Sequence, residues 1–317
     1  MSIEYRKIGA LSKNVSVIGM GCWAIGGKDW GNQSDADSIS ALKTAFDMGI
    51  THFDTAQAYG KGHSEELIGK VLHKVRSELF ITSKMMYTVP EKVENLLKQS
   101  LQRLKTDYID LFYIHWPKKN GNLPAMMEKL IELREKGLIR GIGVSNFSVA
   151  QMKEVMKVGR IDAHQMCYNL LWRFPEKQMI PFCKENAVAV IPYSTIAQGI
   201  LTGKFNRELC FESTDHRQGT VLFEKEIWPE VYTGVQDLKR IASEAGYSLL
   251  ECAIQWTLKR SGIQSVLIGA RNSLQVKQNA DAIKNEIDQN ILDRLTDVSE
   301  MINQKIPDTG NIFRWYP

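Results

Sequence analysis

Short apolar runs alternate with amphipathic stretches along most of the chain. Eight runs read as strands: IGMGCWA, THFDT, LFITSKM, YIDLFYIHW, IRGIGVSN, DAHQMCYN, VAVIPYS and QSVLIGA. They are apolar almost throughout, the pattern of strands buried on both faces of a parallel sheet. Between most of them apolar residues recur at helical spacing, as in SISALKTAFDMG and in PEKVENLLKQSLQRL, which opens on Pro90. Gly49, Gly137 and Gly159 stand where glycines end helices. RKIGALSKNVSVIG predicts a small hairpin with its turn at Ser12–Asn14.

Strands alternating with helices predict a parallel sheet. Eight such units in 317 residues favour an α/β fold of the (β/α)8 TIM-barrel type over an open doubly wound sheet. About seventy residues separate the seventh strand from the eighth, room for a long loop and two helices. A further helix, DQNILDRLTDVSEMI, and an irregular tail, NIFRWYP, follow the last strand. No linker-like segment divides the chain, so residues 1–317 read as a single barrel domain. GMGCWA resembles a dinucleotide-binding glycine pattern, but Trp23 and Gly26–Gly27 follow it and no helix begins there. That context excludes a Rossmann domain.

Composition narrows the function without naming it. Hydrophobic residues make up 44% and charged residues 24%, ordinary for a soluble globular protein. The net charge of +4 is spread without long runs, so neither nucleic acid nor membrane is an expected partner. No apolar run has the length of a membrane span or the form of a signal peptide. The five cysteines are widely spaced and form no CxxC pair, which argues against a disulfide framework or a metal site and for a reducing, cytoplasmic setting. A small-molecule partner is expected; the pattern says nothing of oligomeric state.

Barrel enzymes carry their chemistry at the C-terminal ends of the strands. Here those ends offer Asp54, Lys84, His115, Ser145–Asn146, Gln165 with Asn169, Tyr193–Ser194 and Gly269–Arg271, with Tyr59 in the loop after the second strand. Singly, each has an ordinary reading: a turn carboxylate, a loop aromatic, a lysine reaching for solvent, a core histidine. Ordinary readings do not predict that all four meet at one barrel mouth. A phenol titrates near pH 10, and an adjacent ammonium lowers that value. A buried lysine needs a counter-ion, which Asp54 supplies. A histidine beside the phenol can hydrogen-bond a substrate oxygen. Such a site moves a proton to or from a carbonyl or alcohol oxygen, and redox chemistry there requires a cofactor.

FDTAQAYGKGHSEELIGK, YIDLFYIHWP, IRGIGVSNF and IPYSTIAQGILTGKF resemble the aldo-keto reductases, in the bacterial and potassium-channel β-subunit-like branch. The resemblance runs from the N-terminal hairpin to at least Asn279. It implies a catalytic tetrad of Asp54, Tyr59, Lys84 and His115, with Tyr59 as general acid in carbonyl reduction and base in alcohol oxidation. Hydride then passes directly between substrate and the nicotinamide of NADP(H). Ser145, Asn146 and Gln165 match the partners of the carboxamide, and Tyr193 the aromatic ring that stacks on the nicotinamide. Gly199, Leu201, Gly203 and Lys204 match the pyrophosphate loop, and Gln278 with Asn279 the adenosine contacts. Arg271 and Gln275 match the 2′-phosphate contacts. Many relatives carry a basic residue at the position of Gln275, so here the phosphate charge falls to Arg271 and Arg217. Cys22, Trp23, Asp54, Ser194, Gln198, Gly269 and Ala270 complete the implied cofactor contacts.

Trp23, Trp30, Trp116 and Trp172, with Phe313 and Trp315 of the tail, are candidates for an aromatic substrate wall. Two other functions fit parts of the pattern. A Schiff-base aldolase would use Lys84 as nucleophile, but leaves Ser145, Asn146 and Gln165 without a task. A regulatory subunit that senses NADPH would retain the whole site.

Overall fold

A computed structural model of the chain describes residues 3–27, 31–212 and 215–315. β1 (Tyr5–Lys7) and β2 (Asn14–Ser16) form the expected antiparallel hairpin. Eight strands follow: β3 (Ile18–Gly21), β4 (His52–Asp54), β5 (Phe80–Met85), β6 (Ile109–Ile114), β7 (Ile139–Ser145), β8 (Ala163–Cys167), β9 (Ala189–Tyr193) and β10 (Val266–Gly269). Each is parallel to its neighbour in the order β10-β3-β4-β5-β6-β7-β8-β9. Hydrogen bonds from Val190 N to Gly262 O (3.3 Å) and from Gln264 N to Val190 O (3.2 Å) join β9 to the segment entering β10 and close the sheet. The fold is a (β/α)8 TIM barrel. All eight sequence-read strands are present, each shorter by one to three residues.

Alternation along the strands sorts residues between two cores. Phe80, Leu111, Tyr113, Ala163, Ala189, Ile191 and Leu267 fill the barrel interior, joined by Ile8, Leu11 and Val15 of the hairpin region. The outward residues pack beneath the helices α1 (Asp35–Asp47), α2 (His63–Leu72), α3 (Pro90–Leu104), α4 (Leu123–Glu135), α5 (Val149–Met156), α6 (Met179–Glu185), α7 (Trp228–Glu244), α8 (Leu249–Leu258), α9 (Ser273–Asp281) and α10 (Gln289–Asn303). The long segment after β9 holds α7 and α8, and α10 follows as the extra C-terminal helix. The tail returns to the mouth, pinned by fully buried Ile312, whose carbonyl accepts from Val221 N at 2.9 Å.

Gly49 and Gly137 end their helices with φ of +85° and +77°. Gly159 differs. It does not take a left-handed conformation; instead it packs closely, and a Cβ there would lie 2.5 Å from Ile131 Cδ1.

Candidate active site

Neighbouring parallel strands bring the central residues together. Asp54 on β4 pairs in register with Thr82 on β5. Phe80, Thr82 and Lys84 share one face of β5, while Ser83 faces the helix layer and donates to Glu65 Oε1 at 2.6 Å. The Lys84 ammonium is fully buried and directs its donors to Asp54 Oδ1 (2.6 Å), Thr55 O (2.8 Å) and the Tyr59 hydroxyl (3.2 Å). Burial would lower its pKa, but Asp54 and Tyr59 outweigh it, and the net direction is upward. The other Asp54 oxygen, Oδ2, accepts from Thr82 Oγ1 at 2.6 Å and from Gln165 Nε2 at 2.9 Å.

Tyr59 is carried by a loop with little freedom. Gly60 has φ +58° and faces Gly26 so closely that a Cβ would lie 1.5 Å from its carbonyl oxygen. Gln57 Nε2 ties the loop to α3 through Leu96 O and Ser100 Oγ, both at 2.9 Å. Ser64 Oγ donates to Cys22 O at 2.9 Å and accepts from Thr55 Oγ1 at 2.8 Å. Beneath these, the buried Glu65 carboxylate pairs with Arg103 at 2.7 Å. The Tyr59 ring stacks on Trp23 (5.8 Å between centroids, 14°) and meets His115 edge-on (5.7 Å, 81°).

The acidity of the phenol differs from the expectation. Burial raises the Tyr59 pKa more than Lys84 lowers it, so the free protein holds a protonated phenol. Burial, aided by the Lys84 charge, pushes His115 well below the ordinary imidazole range, leaving a neutral ring. Its Nδ1 is buried and has no hydrogen-bond partner.

Asn146, in a left-handed conformation (φ +62°), donates to His115 O (3.1 Å) and Ser145 Oγ (3.0 Å) and accepts from Tyr193 OH (2.8 Å). Gln165 must present its NH2 to Asp54, because a carboxylate only accepts; its Oε1 is then the atom left for another group. Gln198 Nε2 donates to Ser194 Oγ at 2.7 Å, while its buried Oε1 is unpartnered. Gly199 and Gly203 adopt φ of +94° and +70°, and Lys204 lies against the bare side of Gly199. Burial and the Arg217 and Arg271 cations lower the Lys204 pKa. Arg217 pairs with Asp215 and lies over the Phe205 and Phe211 rings. Arg271 bonds through Nε to Gln33 Oε1 (2.8 Å) and through its guanidinium to Asn32 O, while its backbone N donates to Gln275 Oε1 (2.8 Å). Gln278 is exposed and Asn279 buried on α9, and a Cβ added at Gly269 would meet nothing nearer than Gly21 O at 3.8 Å. Glycine-lined space at the β3–β10 end, an orphaned amide oxygen and three neighbouring cations fit a dianionic dinucleotide. Cys22, Leu201 and Ala270 are buried in the core.

The aromatic wall is partly as expected. Phe313 lies edge-on to Trp23 (6.1 Å) and Trp116 (6.2 Å) and stacks on Tyr193 (6.5 Å, 15°), and Trp315 meets Trp116 at 5.1 Å. Trp172 is not part of this cluster; it packs on Phe174 and lines a cavity of about 310 Å³ with His164, Met179, Asn146 and Tyr193. Trp30 lies outside the described residues. Sequence reasoning overlooked Thr82, Gln57, Gln33 and Ser64. Only for Thr82 was a signal available, its two-residue spacing from Lys84 along a strand.

The aldo/keto reductase family model matches residues 17–300. Aldo-keto reductase YhdN of Bacillus subtilis is 36% identical over 292 residues, covering 87% of this chain and 87% of its own length. The NADH-specific methylglyoxal reductase of Escherichia coli is 29% identical over 302 residues, covering 87% and 92%. The structure of the glycerol dehydrogenase AKR11B4 from Gluconobacter oxydans superposes with a TM-score of 0.87 at 28% identity, over 98% of this chain and 99% of that one. With its barrel, its strand-end residues and these relatives in agreement, the chain belongs to the aldo/keto reductase family, a family of oxidoreductases.

Proposed function

We propose that the protein is an NADPH-dependent oxidoreductase that reduces aldehydes or ketones, or oxidises the corresponding alcohols, with Tyr59 as the proton-transfer group. The observation that carries this is the buried Lys84 ammonium, bonded at once to Asp54 (2.6 Å) and to the half-buried Tyr59 (3.2 Å) at the barrel mouth. The nicotinamide, when bound, supplies or accepts the hydride. Tyr59 gives a proton to the developing alkoxide; Lys84 stabilises the phenolate that remains, and Asp54 keeps Lys84 charged. Neutral His115 orients the substrate oxygen. Ser145, Asn146 and Gln165 hold the carboxamide, Tyr193 supports the ring, and Gly199, Gly203 and Lys204 line the pyrophosphate.

Lys204, Arg217 and Arg271 favour NADPH, because the extra phosphate gives them a charge to meet. The competing NADH reading draws on the relative named for that specificity. Trp23, Trp116 and Phe313 favour an uncharged carbonyl compound with an apolar flank. A Schiff-base aldolase fits poorly, since an amine with a raised pKa and its donors already engaged is a poor nucleophile. We also read residues 1–317 as one barrel domain working on small molecules in the cytoplasm.

Tyr59→Phe tests the proposal. Turnover across a panel of carbonyls and alcohols, followed by nicotinamide absorbance, should fall by about 10²–10⁴-fold while NADPH still quenches the intrinsic fluorescence. Retained turnover would remove Tyr59 from the proton step, and equally weak binding of NADPH and NADH would end the cofactor assignment.

A further inference from the structure

Thr82 stands outside the residues just given roles, yet its hydroxyl makes one of the shortest contacts in the barrel. It lies directly across the β4–β5 register from Asp54, and its Oγ1 donates to Asp54 Oδ2 at 2.6 Å. Both residues are buried, Thr82 completely and Asp54 to within 2%. The geometry divides the carboxylate between two tasks. Oδ1 faces the Lys84 ammonium, and Oδ2 is occupied by Thr82 and by Gln165 Nε2.

We propose that Thr82 is a positioning residue that, acting through Asp54, holds the Lys84 ammonium against the Tyr59 oxygen. The inference rests on the role proposed above for Tyr59. Its physical basis is saturation of a buried acceptor. A carboxylate oxygen deprived of a donor in a dry interior seeks another one. The nearest strong donor is Lys84, which already serves Oδ1. With Oδ2 left to Gln165 alone, the carboxylate rotates toward the ammonium and draws it from Tyr59, whose 3.2 Å contact is the longest of the lysine's three. Thr82 and Gln165 also take up part of the carboxylate charge, so more of the ammonium field reaches the phenol. The two-residue strand period supplies the arrangement: a hydroxyl at 82 and an ammonium at 84 face the same aspartate from one column of β5.

Thr82→Val keeps the shape of the side chain and removes the donor; Thr82→Ser keeps the donor and removes a methyl. In alcohol oxidation, where a phenolate is the base, the rising limb of the pH–rate profile should move up by about one unit in Thr82→Val, with about a tenfold loss of kcat at neutral pH. NADP affinity by fluorescence should be unchanged, and Thr82→Ser should restore both the limb and kcat. An independent readout is the ¹³Cζ resonance of Tyr59 in cofactor-free protein, identified by its absence in Tyr59→Phe. Its ionisation should begin at higher pH in Thr82→Val. A limb and resonance identical to wild type in Thr82→Val, or equal defects in Thr82→Val and Thr82→Ser, would overturn the proposal. If Tyr59→Phe itself retains turnover, it is the Tyr59 assignment that falls, a result separable from the Thr82 comparison. Should Thr82→Val not fold, Gln165→Glu and Gln165→Leu, which alter the second donor to the same oxygen, must shift the limb upward or the proposal fails.

Discussion

The Lys84 ammonium lies 3.2 Å from the Tyr59 hydroxyl and 4.7 Å from the centre of its ring, the lysine fully buried and the tyrosine half-buried at the barrel mouth. Lysine and tyrosine so placed share one electrostatic fate. The cation stabilises a phenolate, and the phenol lies within reach of one of the ammonium's donors. Asp54 completes the set by balancing the charge.

Removing the cation should therefore damage both chemistry and stability. Lys84→Met leaves Asp54 as a buried charge without its counter-ion, and unfolding in denaturant should show a loss of about 3–5 kcal/mol. Turnover should fall with it. A variant as stable as wild type would mean that Asp54 is neutral or rehydrated in the mutant.

The loop bearing Tyr59 depends on Gly60. Gly60→Ala places a methyl where the Gly26 carbonyl already stands, 1.5 Å from the ideal Cβ. Because both partners are backbone, the loop must shift, at a cost of about 1–3 kcal/mol. The expected result is a lowered thermal midpoint and a larger fall in kcat than in cofactor affinity. Unchanged kcat would show that the loop can move without displacing the phenol.

Cofactor choice should follow the cations at the adenosine end. Arg271→Ala removes a guanidinium held by Gln33 and Asn32. Fluorescence titration should show NADPH binding weakened by about 10–100-fold and NADH binding nearly unaltered. Equal losses for the two cofactors would remove Arg271 from phosphate recognition.

Acid should destabilise the fold through histidines. Burial pushes His52 and His164 down to about 4, from the 6.5 of an exposed imidazole. A folded value below the unfolded one means that stability is complete above pH 6.5 and is lost as pH falls toward 4. Each contributes a loss of about 3 kcal/mol over that interval. His164→Gln, which retains a donor for the Phe147 carbonyl, should flatten the decline in thermal midpoint between these pH values; an unaltered slope would place the acid sensitivity elsewhere. At the other extreme, Lys84 and Tyr59 both have raised values, so stability should fall as pH rises beyond about 10.

The eight strands, the hairpin, the helices after β9 and the residues at the strand ends follow from the sequence alone. Each depends on a local pattern: unbroken apolar runs for buried parallel strands, helical spacing between them, and a polar residue where a strand leaves the core. Asp54, Lys84 and His115 stood out for that reason, whereas Tyr59, in the loop after β4, follows no such pattern. Tertiary structure decided what local patterns do not encode. The register between β4 and β5 set Thr82 against Asp54, and the closing of the barrel brought Gln165 to the same carboxylate from 111 positions away. The return of the tail laid Phe313 on Tyr193. The state of the phenol was decided there too. A lysine expected beside the phenol at the barrel mouth predicts a more acidic tyrosine, but burial makes desolvation the larger effect, and the extent of burial is a property of the assembled barrel.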